Sequence, residues 1–348
     1  MKRLTMILGV SALLCVLGVA AQVVRSQEKA AANTVQVHMV VTDEAVRDDS
    51  ELAILRAENI QVKQGKELLK VDHLIPARGE NAALQLFILI DDTCEPQGIG
   101  NSLSDIKDFI NAQPASTVVG VAYMSNTTIQ ITQNFTADHA LAAKSVRLPR
   151  GTLSAMDSPY LSLISLLKGW PEQKVRREVL MISDGIDRLR SDRTSDRMSP
   201  SSYGRGYRAS AMSPSGMATI SSDADTASNL SQRYGVIVHG IYAVGVGRQS
   251  RNTWDAQMGQ SGVAKITSES GGEYFALGTQ APLSFKPYLD RIQKIFDNQY
   301  YLVFQAIPKS KDGLQRVNIS TEVPGVEIAA ADNVWVPAAS GASSGKKK

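Results

Sequence analysis

Cysteine is scarce in this chain of 348 residues: Cys15 lies in an N-terminal apolar run and Cys94 stands alone after it. Removal of that run would leave one thiol and no internal disulfide, so the stability must come from packing. Histidine is scarce too. His38, His73, His139 and His239 are scattered with no metal-ligand spacing, which assigns them to ordinary surface or strand positions. Beyond residue 21 no apolar run is long enough to span a bilayer. Neither sign of charge prevails, with 37 Lys plus Arg against 34 Asp plus Glu. Much of the positive charge is segregated into Lys2 and Arg3, the tail Lys346 to Lys348, and the cluster Arg188, Arg190, Arg193, Arg197, Arg205 and Arg208, which leaves a mildly acidic body. Hydrophobic residues at 43% and charged residues at 20% exclude collagen, coiled coil and wholly disordered classes. The length suits one large domain or two.

Lys2 and Arg3 precede the apolar stretch Leu4 to Ala21, which ends in Val19-Ala20-Ala21. A basic start, an apolar middle and small residues at the end form the pattern of a secretory signal peptide over residues 1–21. It predicts a secreted or periplasmic protein with no membrane span after cleavage; a retained single-span anchor is the rival reading. Leu14 before Cys15 argues against lipidation, which wants a small residue there.

Residues 34–80 read as a small β unit, with alternating strands at Val35 to Val41, Ile60 to Val62 and Leu68 to Leu74 and a turn at Lys63-Gln64-Gly65-Lys66. It is too short to bury a core alone and is expected to pack on something else. Over residues 84–297 the pattern changes to apolar strands alternating with amphipathic helices: strands at Leu84 to Ile90, Thr117 to Met124, Glu178 to Ile182, Val236 to Ala243 and Tyr274 to Ala276. Helical crossovers between strands predict an α/β fold with a Rossmann-like, doubly wound, mostly parallel sheet covered on both faces. Strands without helices return over residues 298–337, at Tyr300 to Phe304, Val317 to Thr321 and Val326 to Ala330, and are expected to join the N-terminal unit in a β subdomain. The Ala-Ser-Gly tail, residues 338–348, is expected to be disordered. Residues 188–222, rich in Ser, Arg, Gly, Tyr and Met, keep no period and read as an insertion at the rim of the sheet, either a solvated loop or a partner-binding one.

In open α/β sheets, sites lie at the carboxyl ends of the strands. One strand exits there into Asp91-Asp92-Thr93-Cys94-Glu95 and another into Ser183-Asp184-Gly185-Ile186-Asp187, while Arg150 to Asp157 forms a hydroxyl-rich loop between them in sequence. Convergence of the three would make an oxygen-rich pocket suited to a hard cation, Mg2+, Mn2+ or Ca2+, rather than zinc. Acids that merely cap helices and solvate the rim are the plainer reading.

On Leu86-Phe87-Ile88-Leu89-Ile90-Asp91 and Val179-Leu180-Met181-Ile182-Ser183-Asp184-Gly185, the chain resembles the von Willebrand factor type A domain over about residues 84 to 280. Leu55 to Leu68 and Asp297-Asn298-Gln299-Tyr300-Tyr301-Leu302 resemble the flanks of a bacterial secreted family related to it. The resemblance implies non-catalytic binding of a protein or cell-surface component at a metal-ion-dependent adhesion site, in which the cation also coordinates an acidic residue of the partner. Carried onto this chain, the metal set is Asp91, Thr93, Glu95, Asp184 and a loop hydroxyl from Thr152 or Ser154. The pattern departs from the family's at Glu95, which stands where a second hydroxyl belongs. Three carboxylates around a divalent ion would weaken its pull on an acidic partner, or leave a site that binds no metal. Asp92, Asp187, Arg188, Arg190, Tyr203 and Tyr207 are the expected partner-binding residues of the rim.

Asp91-x-Thr93 with the later acids also resembles the haloacid-dehalogenase phosphatases, with Asp91 as nucleophile and Mg2+ held by the second motif. Cys94-Glu95 stands where that family has Gly-Thr, and shared topology does not transfer chemistry. A structural envelope protein without metal is the third reading. Gly245-Val246-Gly247 lacks the third glycine of a dinucleotide fingerprint and reads as a turn. Arginines interleaved with Tyr203 and Tyr207 could serve nucleic acid or an anionic glycan, but export and an acidic body argue against nucleic acid. Cys94 reads as a structural, half-buried thiol.

Overall fold

The computed structural model describes residues 34–44, 54–171, 173, 175–189 and 221–339. The signal-like run 1–21, the greater part of the insertion with Arg190, Tyr203 and Tyr207, and the tail from residue 340 lie outside the described residues. Strands β1 (Val35–Asp43), β2 (Ile60–Gln64), β3 (Glu67–Leu69) and β4 (Val71–Pro76) come first. Next come β5 (Leu84–Asp91), β6 (Thr117–Ser125), β7 (Thr128–Thr136), β8 (Arg176–Ser183), β9 (Val236–Tyr242) and β10 (Tyr274–Phe275), mostly with helices between them. The strands β11 (Gln299–Ala306), β12 (Gly313–Arg316), β13 (Asn318–Thr321), β14 (Ile328–Ala330) and β15 (Asn333–Val336) follow the helix Lys286–Asp297.

The strands β10-β9-β8-β5-β6-β7 form one sheet in that order. All neighbours are parallel except β7, which returns antiparallel to β6 as a hairpin through Asn126 and Thr127, both with positive φ. Left-handed backbone at both turn positions matches the twist of a two-residue hairpin. The central strand β5 is buried at every residue, and its alternation divides two cores. Leu84, Leu86, Ile88 and Ile90 face the helices Leu103–Asn111, His139–Ser145 and Lys286–Asp297. Phe87 and Leu89 face Pro159–Gly169, Ser222–Tyr234 and Thr253–Ser270. A strand apolar at every position from Leu86 to Ile90 is what a sheet covered on both faces requires.

The first and last described strands meet beside this body. A sheet ordered β14-β1-β11-β4 pairs Val35–Thr42 antiparallel with Gln299–Ala306, and short sheets β13-β2-β3 and β12-β15 pack against it. Together they enclose a third core built on Val37, Val41, Val62, Leu302, Phe304 and Val336. The stretch Leu68 to Leu74, expected as one strand, divides at Lys70: β3 pairs with β2, and β4 with β11. The strands β12 and β15 went unseen in the sequence because each is four residues long and pairs only with the other.

The joint between subdomain and body is polar. The buried Arg176 guanidinium donates to the carbonyls of Phe296 (2.7 Å) and Ala82 (2.8 Å) and to Gln299 Oε1 (2.8 Å), tying the start of β8 to the point where the last helix becomes β11. On the other side Asn333 N donates to Gln232 Oε1 (2.8 Å), and the Arg233 guanidinium lies 4.3 Å from the centre of the Trp335 ring. Phe304 is fully buried in the third core. Its replacement by Ala is expected to cost about 3–5 kcal/mol, read as a lower denaturant midpoint.

Candidate functional site

Because β5 and β8 are parallel neighbours with Ile90 opposite Ile182, their carboxyl ends bring Asp91 beside Ser183. Asp91 Oδ1 accepts from the Thr93 backbone N–H (3.0 Å) and the Thr93 hydroxyl (2.7 Å), a local Asx turn that reverses the chain after the strand. Asp91 Oδ2 accepts from the Ser183 hydroxyl (2.7 Å), whose oxygen accepts in turn from Gly185 N–H (2.9 Å). Asp184 Oδ1 accepts from Ile186 N–H (2.9 Å) and its Oδ2 from the Ser250 hydroxyl (2.8 Å).

The remaining partner of Asp184 is Arg188. Its Nη2 lies 2.5 Å from Asp184 Oδ2 and its Nη1 3.4 Å from Oδ1, while Nη2 also donates to Ser250 Oγ (3.1 Å). Asp91, Asp184 and Arg188 are 3%, 0% and 3% exposed, so a guanidinium and two carboxylates share a dry site. Room for them comes from Gly245. A Cβ there would overlap the Asp184 carboxylate and stand 2.7 Å from Ser250 Oγ and 2.8 Å from Arg188 Nη2. The turn Gly245-Val246-Gly247 is thus a close-packing element, joined to the Asp91 loop by Glu95 N to Val244 O (2.8 Å) and Val246 N to Thr93 O (2.9 Å).

Electrostatics follow from this geometry. Burial, and then the charge of Asp184, push Asp91 up to about 6 against the opposing pull of Arg188, Ser183 and Thr93. Burial, followed by the two carboxylates, raises the Cys94 thiol; fully buried and 3.8 Å from the Ala243 carbonyl, it is structural, and buried outright where the sequence suggested half.

Of the expected metal ligands, the fold joins Asp91, Thr93 and Asp184 and leaves the others apart. Glu95 stands at the start of the following helix without a side-chain capping bond, partly exposed and 3.9 Å from Arg251. Thr152 is exposed. Ser154 Oγ accepts from Met156 N–H (3.1 Å) and its backbone N–H donates to Asp157 (2.6 Å), which also holds the hairpin tip through Asn126 N–H (2.8 Å). These residues as arranged do not fit a divalent cation: all four oxygens of Asp91 and Asp184 accept from protein donors, and a guanidinium sits on one carboxylate. Among the described residues no group of three or more His, Cys, Asp or Glu could hold a metal ion.

Two expected partner-binding residues are turned inward. Arg188 is committed to Asp184, and Asp92, 2% exposed, takes a two-pronged bond from Arg147 (2.7 and 2.8 Å) and another from Arg150 N–H (2.9 Å). A charge this deep is held by an internal opposite charge, so neither side chain is offered to a partner. Asp187 is half-buried and accepts from the Ser221 hydroxyl (2.6 Å). Sequence reading missed Arg147, which also lies 3.7 Å over the Tyr123 ring, and Ser250, which no motif marks because it reaches the site from 66 residues away. A groove of about 460 Å³ lies at the opposite end of the sheet, between β1, β4 and β11 and residues 80–83 and 175; it includes His38 and His73 and none of the acidic-site residues.

The sheet order and the helices on both faces define the class: an α/β protein with a doubly wound, mostly parallel six-stranded sheet. No family model matches the chain. No curated protein matches it. Solved structures similar to it include an aerotolerance-related membrane protein from Bacteroides fragilis (13% identity, TM-score 0.38, 62% of this chain and 99% of that one). Two others are the conserved hypothetical protein BatB from Bacteroides thetaiotaomicron (13%, 0.38, 61% and 98%) and the VWA domain of SpRpn10 (12%, 0.34, 61% and 95%). Among the described residues no helix is long and apolar enough to cross a membrane.

Replacement of Gly245 by Ala is expected to destabilise the fold by at least about 1–3 kcal/mol, the cost of overpacking, measured by denaturant unfolding. Since the folded-state pKa of Asp91 lies above the ~3.9 of an unfolded aspartate, the native state keeps that proton longer. Its contribution is fully present below about pH 4 and is lost as pH rises through about 6. Unfolding free energies measured across this window are expected to fall with pH, and Asp91→Asn is expected to flatten that slope.

Proposed function

We propose that the chain is an exported, non-catalytic binding protein that docks another protein or a cell-surface component on the rim at the carboxyl ends of its central strands. The observation that carries this reading is a set of exposed apolar side chains bordering the closed acidic site. Leu148, Leu153 and Met156 project from the loop after the helix His139–Ser145, and Trp254 from the start of Thr253–Ser270; Met156 and Trp254 are each 54% exposed. The loop packs on the turn that leads toward that helix, since Leu153 lies over Gly247 and Gly151 lies beside Val246. Large apolar groups gathered at a loop-built rim are what a docking surface offers and what solubility alone disfavours. The exposed guanidinium groups of Arg150 and Arg251 stand on the same rim, each near 4 Å from a carboxylate, Asp92 or Glu95. That combination favours a partner surface that is apolar with acidic edges. Export rests on the basic and apolar pattern of residues 1–21.

The phosphatase reading has less support. A nucleophilic aspartate must present an oxygen to substrate, whereas Asp91 is buried and both its oxygens are occupied by Thr93 and Ser183. Docking through a shared metal has less support for the reason given by Arg188.

The test pairs Leu153→Asp with Trp254→Ser in one chain and compares partner capture from envelope extract with and without chelator. The expected result is capture by the wild type that survives chelation and is lost in a double variant of unchanged thermal stability. Capture abolished by chelator, or retained by the double variant, counts against this reading. Turnover of a generic phosphate ester that disappears in Asp91→Asn would establish the phosphatase instead.

A further inference from the structure

We infer that Arg188 is a built-in cation: its guanidinium stands in the place of a divalent metal ion, and its removal turns the closed acidic site into one that binds such an ion. This goes beyond the docking reading and does not depend on what occupies the rim. Five side chains, Asp91, Thr93, Ser183, Asp184 and Ser250, bring carboxylate and hydroxyl oxygens together at the ends of β5 and β8 and the loop after β9, and hard oxygens in that number suit Mg2+, Mn2+ or Ca2+. Where such an ion would neutralise the two carboxylates, the structure puts Arg188, four residues beyond Asp184, with Nη2 2.5 Å from Asp184 Oδ2 and 3.1 Å from Ser250 Oγ.

The guanidinium does part of an ion's work. It supplies positive charge in a site too dry for two bare carboxylates, and it holds Asp184 and Ser250 in one geometry. It differs in one respect that matters. Its donors are directed by a fixed planar fork, both terminal nitrogens are engaged by Asp184 with Ser250 beside them, and burial keeps the group from an incoming carboxylate oxygen, so the site stays shut. The missing Cβ at Gly245 leaves room at the point where Asp184, Arg188 and Ser250 meet. Take the guanidinium away, and that room is left with the Asp184 carboxylate and the Ser250 hydroxyl, with the Asp91 carboxylate and its Thr93 and Ser183 partners on the neighbouring strand ends and no arginine to balance the charge.

The experiment uses the full chain, with Mn2+ uptake followed by loss of the electron spin resonance signal of the free aqueous ion and thermal unfolding recorded with and without millimolar MnCl2, MgCl2 or CaCl2. Wild type and Arg188→Lys are expected to take up no Mn2+ and to show no shift in Tm. Arg188→Ala and the volume-retaining Arg188→Met are expected to bind a single Mn2+ and to gain several degrees in Tm with it, and Asp184→Asn in the Ala background is expected to abolish both effects. Stoichiometric Mn2+ binding by the wild type overturns the inference, as does a folded Arg188→Ala or Arg188→Met chain that binds none. Should neither variant fold even with all three cations supplied, it is overturned as well, because an ion in that position should restore what the guanidinium provided.

Discussion

The ion pair between Arg188 and Asp184, with Asp91 close by, is the constraint to which the rest of the acidic site adjusts. Two parallel strands side by side deliver two carboxylates into a space with almost no water, and burial of one ionised carboxylate without a partner would cost several kcal/mol. A single guanidinium cannot neutralise both. The deficit is spread over the Thr93 and Ser183 hydroxyls and the backbone N–H groups of Thr93 and Ile186, and it leaves Asp91 holding its proton to a higher pH than an exposed aspartate. Gly185 and Gly245 follow from the same demand. A positive φ at Gly185 turns the chain directly after Asp184 against the backbone of Gly259, and Gly245 vacates the volume that the ion pair fills.

Strand β8 carries a second buried arginine at its other end. The Nη groups of Arg176 are held by main-chain carbonyls and Gln299, those of Arg188 by a carboxylate and a hydroxyl. The first anchors the β subdomain to the base of the sheet, and the second closes its top. Arginine suits both tasks, since its charge persists at any physiological pH and its planar fork spreads several directed bonds over a small area. The same strand also buries Glu178, whose carboxylate accepts from His239 Nε2 (2.7 Å), with His239 Nδ1 accepting from Glu273 N–H (3.2 Å). Polar groups along the middle strand therefore specify how β8, β9 and the last helix meet, a geometry that apolar packing alone would leave less strictly defined.

With the polar centre closed, the proposed docking surface lies outward, on the loops around it. Asp157 and Asp92 act as struts beneath that surface: one ties the 150–157 loop to the β6–β7 hairpin, the other ties the preceding segment to the Asp91 loop through Arg147 and Arg150. A rigid base under exposed Leu153, Met156 and Trp254 lowers the ordering cost of any partner that docks there.

The alternation of the chain determined the class of fold by itself. A short, nearly continuous apolar run such as Leu84 to Ile90, broken only by Gln85, reads as a strand covered on both faces, and the helical stretches between such runs make parallel neighbours the economical topology. Asp91 and Asp184 were legible as neighbours in space because each stands where one of those strands ends. What only the tertiary structure decided is which charges meet. Arg188 and Asp92 look like surface residues in a charged stretch, yet one faces the acidic pair and the other Arg147, and Ser250 arrives from a distant turn. Linear sequence records a residue's neighbours along the chain, whereas the sign and number of charges in a dry site depend on contacts across it; the state of this site was settled there, by a guanidinium that no metal motif includes.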